Sequence, residues 1–226
     1  IYAAMSMFHG VSKSPLLLLK PRLNSGKNFL MYANSHCVDY RERSFDMIVD
    51  LATKYDLQQP HSLGACYGKH KELKKRVFDV ESQTAINFYA KFPHKWGNND
   101  KLGRNYRFIL AMENSANVGY ITEKIINAFL AGAIPIYYGT LDVMLIFNPN
   151  AFIFFDVHNP TKALNQILWL EKNPNEYHKM LAQPILLDGN ASLEKYFSLS
   201  DDIGGGKLRN EILKMLEIKP QKVKIH

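Results

Sequence analysis

Residues 106–139, YRFILAMENSANVGYITEKIINAFLAGAIPIYYG, confine the chain to few folds. Tyr106 to Met112 is an apolar run of strand length, and the polar loop Glu113 to Gly119 follows it. Thr122 stands where a helix N-cap belongs, and Glu123 in the first turn suits the positive end of the helix dipole. Ile125, Ile126, Ala128, Phe129 and Leu130 make that helix apolar on most sides, and Gly132 is placed to be its C′ residue. Ile134 to Tyr138 is a second apolar strand, ended by Gly139. Strand, loop, helix and strand in that order belong to an α/β protein with a largely parallel sheet.

The rest of the chain extends this pattern. Phe29 to Ala33 reads as a strand and Asn34 to Tyr40 as a loop. Ser44 to Tyr55 has the apolar spacing of a helix with one buried face, at Phe45, Ile48, Leu51 and Ala52. Gly64, Cys66 and Gly68 mark a turn, and Trp96 to Asp100 marks a loop. Ala151 to Asp156 reads as a further strand, and helices are expected over 161–172, near 175–181 and near 207–216. Gly204 to Gly206 is a flexible joint. The segment 1–27, broken at Pro15 and Pro21, reads as a connector or the remnant of a preceding domain. Residues 28–203 read as one Rossmann-like domain with helices on both faces of its sheet, and 204–226 as a terminal helix with a basic tail.

The 226 residues can bury a real core, and 46% hydrophobic with 22% charged residues argues against a disordered chain. The net charge of +7 favours anionic partners without choosing among them. Lys69, Lys71, Lys74, Lys75 and Arg76 crowd one stretch, and Lys219, Lys222 and Lys224 end the chain. Both clusters read most simply as solvated surface, and without interleaved aromatics the first is a poor nucleic-acid site. Cys37 and Cys66 are the two cysteines, too widely spaced for a disulfide framework or a zinc pattern. His61, Cys66 and His70 match no common metal site. Asn190-Ala-Ser is a glycosylation sequon of the kind that arises by chance. No apolar run approaches a membrane span, so any anchor is expected outside this chain.

In an open α/β sheet, ligands bind beyond the carboxyl ends of strands and beside helix N-termini. Backbone N–H groups and the dipole at the Thr122 helix favour an anion there. Lys124 lies in the first turn, where its charge opposes the dipole; it is easier to understand facing phosphate. Glu123 is suited to accept hydrogen bonds from sugar hydroxyls, and Tyr120 offers a ring and a hydroxyl. The plainer readings make Glu123–Lys124 an exposed surface pair, Asn114 a turn residue and Tyr120 a partly buried anchor. No Walker lysine motif or glycine-rich dinucleotide fingerprint is present. Nor is an Asp-x-Asp sequence, which counts against a metal-bridged diphosphate.

The 106–139 string closely resembles the signature of the α1,3-fucosyltransferases, glycosyltransferase family 10. Its parts follow in the family's order: an aromatic-Arg-Phe start, the M-E-N-S core, Y-I-T-E-K, and a small-x-P-hydrophobic-hydrophobic-aromatic-G strand. FLMYANSHCVDYRERSF is similar to the family's strand, loop and arginine-bearing helix, and HSLGACYGK to its S-x-G-x-C turn. The resemblance covers about Phe29 to Leu181.

It implies the C-terminal, donor-binding half of a GT-B glycosyltransferase, with Asn114, Tyr120, Glu123 and Lys124 contacting GDP-fucose. The phosphate-binding arginine falls on Arg41, with Arg43 as its rival. The implied reaction is inverting transfer of fucose to a sugar hydroxyl of a glycan acceptor, with α1,3 linkage and no metal or other cofactor. Lys124 and the arginine would stabilise the leaving GDP. The general base and acceptor site are expected in an N-terminal domain that this chain does not resemble. A Golgi lumenal setting is implied for a eukaryotic source and a cytoplasmic one for a bacterial or viral source. Another GT-B nucleotide-sugar transferase and a non-catalytic nucleotide-binding module stay open as alternatives.

Overall fold

The computed structural model describes residues 15–22, 26–75, 102–197 and 207–216. Residues 1–14, Arg76, the Trp96 loop, the Gly204 joint and Lys219, Lys222 and Lys224 lie outside the described residues. Five parallel strands form one sheet in the order β2-β1-β3-β4-β5. They are β1 (Asn28–Tyr32), β2 (His61–Ser62), β3 (Tyr106–Met112), β4 (Ile134–Tyr138) and β5 (Ile153–Phe154). Helix α1 (Asp39–Lys54) joins β1 to β2, and α2 (Glu123–Leu130) joins β3 to β4. After β5 come α3 (Thr161–Lys172), α4 (Pro174–Leu181), α5 (Asn190–Phe197) and α6 (Lys207–Met215).

Alternation along β3 covers both faces of the sheet. Phe108, Leu110 and Met112 pack with Phe45 and Ile48 of α1 and Ile167 of α3. Ile109 and Ala111 turn the other way, into a cluster with Ile125 and Phe129 of α2 and Leu193 and Phe197 of α5. The sheet is thus covered on both sides, as uninterrupted apolar strands require. Gly132 takes a positive φ of 80° just past α2, the conformation a C′ glycine supplies.

Three features differ from the sequence reading. Helix α1 begins at Asp39, five residues before the first expected position, because Asp39 and Glu42 supply acidic groups to its first turn. The short strand β2 and the helix α5 were not read at all. Cys37 and Cys66 form a disulfide. Their separation of 29 residues spans the β1-α1-β2 unit, and pairing of β1 with β2 brings the loops after both strands side by side.

Part of the segment read as a connector packs into this domain. Leu18 is buried, and so is Arg22, whose guanidinium donates to the carbonyls of Ala133 (3.3 Å), Ala151 (3.0 Å) and Met180 (2.6 Å). Burial pushes the Arg22 pKa down to about 10, so it remains a cation near neutral pH.

Candidate functional site

The chain leaves β1 toward β2 on one side and β3 toward β4 and β5 on the other. Loops after β1 and β3 therefore part in opposite directions, which opens a crevice beyond their carboxyl ends. A cleft of about 280 Å³ lies there, walled by Asn34, Ser35 and His36 after β1 and by the start of α2. Arg41, Asn114, Tyr120, Glu123 and Lys124 all line it.

Arg41 is buried in the first turns of α1, at 1% exposure. Its guanidinium donates to the His36 carbonyl at 3.3 Å and to Oδ1 of Asn114, and its Nε has no partner. No ion pair among the described residues includes Arg41, so no carboxylate there contacts its guanidinium. A buried cation without a counter-charge is costly and points to an anionic ligand. Arg43, its rival in the sequence, lies on the outer face of α1 and pairs with exposed Asp39 at 2.8 Å.

Lys124 is placed differently from the sequence argument. Its ammonium lies 3.1 Å from Oε2 of Glu113 and 3.0 Å from Oγ1 of Thr122. A protein carboxylate thus compensates part of its charge, and the case for an anion passes from Lys124 to Arg41. Thr122 occupies the N-cap position of α2 without capping it; its hydroxyl donates to Glu113 Oε2 at 2.7 Å.

Glu113 is the residue that sequence reasoning passed over. It is fully buried at the end of β3 and accepts from Thr122 N (2.7 Å), the Thr122 hydroxyl, Lys124 and the Tyr137 hydroxyl (3.4 Å). Its own carbonyl accepts from the Tyr40 hydroxyl at 2.5 Å. One side chain therefore fixes α2 to β3 and sets the direction of Lys124. Burial, then the neighbouring Glu113 charge, drives the Tyr137 pKa upward, so this phenol stays a donor. The signal available in the sequence was a carboxylate directly after an apolar strand, where a buried charge needs a local cluster of donors.

Metal ligation finds little purchase among the described residues. Cys37, Glu42 and Cys66 lie close together, but the two sulfurs are bonded to each other. His61 Nδ1 meets the Tyr106 hydroxyl at 3.0 Å, and His70 lies between Asp46 and Glu72.

The chain is similar to several known proteins. An α-(1,3)-fucosyltransferase of Helicobacter pylori is 39% identical over 97 residues, 42% of this chain and 20% of that protein. A GDP-fucose protein O-fucosyltransferase 3 of Danio rerio is 33% identical over 125 residues, 54% of this chain and 25% of that protein. The chain thus spans a quarter or less of these curated relatives. A crystal structure of an α1,3-fucosyltransferase superposes with a TM-score of 0.50 at 26% identity, over 78% of this chain and 44% of that one. The sequence model described as glycosyltransferase family 10 (fucosyltransferase) C-term matches residues 23–182, well over half of the chain. By that match and by its α/β sheet, the chain belongs to glycosyltransferase family 10, the fucosyltransferases, through their C-terminal domain.

Proposed function

We propose that this chain is the donor-binding part of a fucosyltransferase that takes fucose from GDP-fucose and transfers it, with inversion, to a sugar hydroxyl of a glycan acceptor. The observation that carries the reading is Arg41: a buried guanidinium without a carboxylate, at the point where the strand order reverses. A diphosphate supplies the missing counter-charge, and a fork of N–H donors suits its oxygens. Asn114 holds the guanidinium and faces the ligand beside it, while Lys124 meets the same diphosphate from the α2 side. Glu123 accepts from ribose or fucose hydroxyls, and the Tyr120 ring packs on the sugar or base.

When the glycosidic bond breaks, the leaving GDP gains negative charge. Arg41, Lys124 and the α2 N-terminus are fixed donors that stabilise this charge as it develops, without a metal ion in the scheme. A general base must remove the acceptor proton. We assign that base and the acceptor site to a domain outside this chain. α1,3 linkage is our reading of the acceptor, supported by the Helicobacter pylori relative; the Danio rerio relative acts on protein, so linkage is tested separately. The Cys37–Cys66 disulfide favours an oxidising, lumenal setting. Among the described residues, no helix is long and apolar enough to cross a membrane.

Calorimetry with GDP, GDP-fucose, UDP and ADP, each in EDTA, tests the reading. Guanine-nucleotide preference in the parent, with binding itself lost in Lys124→Ala and Arg41→Met, supports it. Binding of UDP over GDP replaces it with another nucleotide-sugar transferase, and a strict Mn²⁺ requirement removes the metal-free account. Donor binding with no transfer by the longer protein leaves a non-catalytic nucleotide module. Glycosidic linkage analysis of the product decides α1,3.

A further inference from the structure

The wall of the cleft after β1 is a short piece of chain, from Ala33 to Val38, between the strand and α1. Asn34 is tied to the neighbouring loop, since its carbonyl accepts from Ala65 N at 2.9 Å and Cys66 N at 3.2 Å. Beyond it, Ser35 and His36 are exposed, and the His36 carbonyl is one of the two acceptors that hold the Arg41 guanidinium. The next residue is Cys37, exposed and bonded to Cys66, which is 1% exposed in the core under α1. The bridge thus anchors the free half of the cleft wall to a buried point, one residue from the carbonyl that orients Arg41.

We propose that the Cys37–Cys66 bridge is a positioning element of the nucleotide site, so that the oxidised chain binds a nucleoside diphosphate more tightly than the reduced chain. This rests on the reading of the cleft as a nucleotide site. Opening the bridge takes two electrons and two protons from two thiols of a reductant such as glutathione, which leave as their own disulfide. Cys37 is the sulfur within reach of an attacking thiolate, and Cys66 is the buried leaving group. With the tether open, the backbone at Cys37 must be ordered again when ligand binds. Fixing the backbone of about one residue costs a factor of about ten in affinity. Asn34 and the Glu42 side chain, which accepts from Tyr67 N (3.2 Å) and Gly68 N (2.7 Å), keep the two loops adjacent, so the fold itself persists.

Linkage makes the effect reciprocal: if the bridge tightens GDP binding, GDP must stabilise the bridge by the same factor. Two measurements test it. Calorimetry compares GDP binding to the oxidised chain, the chain reduced with dithiothreitol, and the double variant Cys37→Ser, Cys66→Ser. A glutathione redox titration is run with and without saturating GDP, with near-ultraviolet circular dichroism recorded throughout. We expect reduction to weaken GDP about tenfold, and GDP to move the midpoint to a more reducing value by about 30 mV, the two-electron equivalent of tenfold. Equal affinity in both redox states, or an unmoved midpoint, overturns the proposal. Loss of the folded dichroism signal together with the bridge also overturns it, because the bridge then holds the fold and not the loop. An oxidised chain that binds no GDP fails one step earlier, at the nucleotide reading.

Discussion

The Lys124 ammonium lies 3.1 Å from a carboxylate oxygen of Glu113, a side chain with no exposed surface. Three donors besides Lys124 converge on that carboxylate: Thr122 N, the Thr122 hydroxyl and the Tyr137 hydroxyl. Replacing it by an amide keeps the shape but removes an acceptor and the charge. Glu113→Gln is therefore expected to lower stability by about 3 kcal/mol, the cost of breaking a buried ion pair from one side. Urea denaturation measures it, and a loss below about 1 kcal/mol would show that the cluster relaxes without the charge.

Arg41 presents the opposite trade. Its charge is buried without a carboxylate, so an apolar replacement relieves the protein while depriving the ligand. Arg41→Met is expected to raise stability by about 1 kcal/mol. The same variant is expected to weaken GDP by a factor of about thirty or more, the scale of a charge-assisted hydrogen bond. Thermal unfolding and calorimetry on one sample read both effects. A variant that is destabilised and still binds GDP as the parent does would reverse the assignment.

His61 gives a pH dependence with a definite sign. Burial first, and Lys75 after it, hold its pKa below the usual 6.5. The unfolded chain therefore takes up the proton first as pH falls. This contribution to stability is full above about pH 6.5 and declines as pH drops through the lowered folded value. The urea midpoint is expected to fall between about pH 7 and about pH 5, and less steeply in His61→Gln. Identical slopes in the two proteins would exclude His61 as the source.

Gly64 lies where two loops touch. A Cβ built there would stand 2.2 Å from the Asn34 carbonyl oxygen and 2.6 Å from Asn34 N, backbone atoms that cannot swing aside. Gly64→Ala must push back the cleft wall that begins at Asn34. It is expected to cost about 2 kcal/mol, in the range of overpacking, and to weaken GDP as well. Gly189→Ala is the control for a glycine in open space, because nothing lies within 4 Å of its added Cβ; only the strain of its φ of 51° applies. Equal affinity for GDP in both variants would separate Gly64 from the site.

The sequence carried the sheet because apolar runs such as Phe108 to Met112, buried on both faces, have no polar alternation to obscure them. The position of α2 and its Gly132 stop were readable for the same local reasons. Less local facts were not. The two-residue β2 is too short to leave a pattern, and its existence is what brings Cys66 to Cys37. The pairing of Lys124 with Glu113 joins residues on two different elements. Arg41 and Arg43 could be separated only by knowing which face of α1 meets the sheet, a question that the two-residue spacing between them turns into inside against outside.

Arg22 stands one residue before the stretch that the family comparison matches, yet it bonds the chain just before β4, just before β5 and within α4. The block that the family model matches and the block that holds together are therefore different lengths of polypeptide. The family match starts at residue 23; cohesion reaches further back. A domain excised at the boundary of that match would keep the plates and lose the rivet, taking one donor from each of three backbone carbonyls.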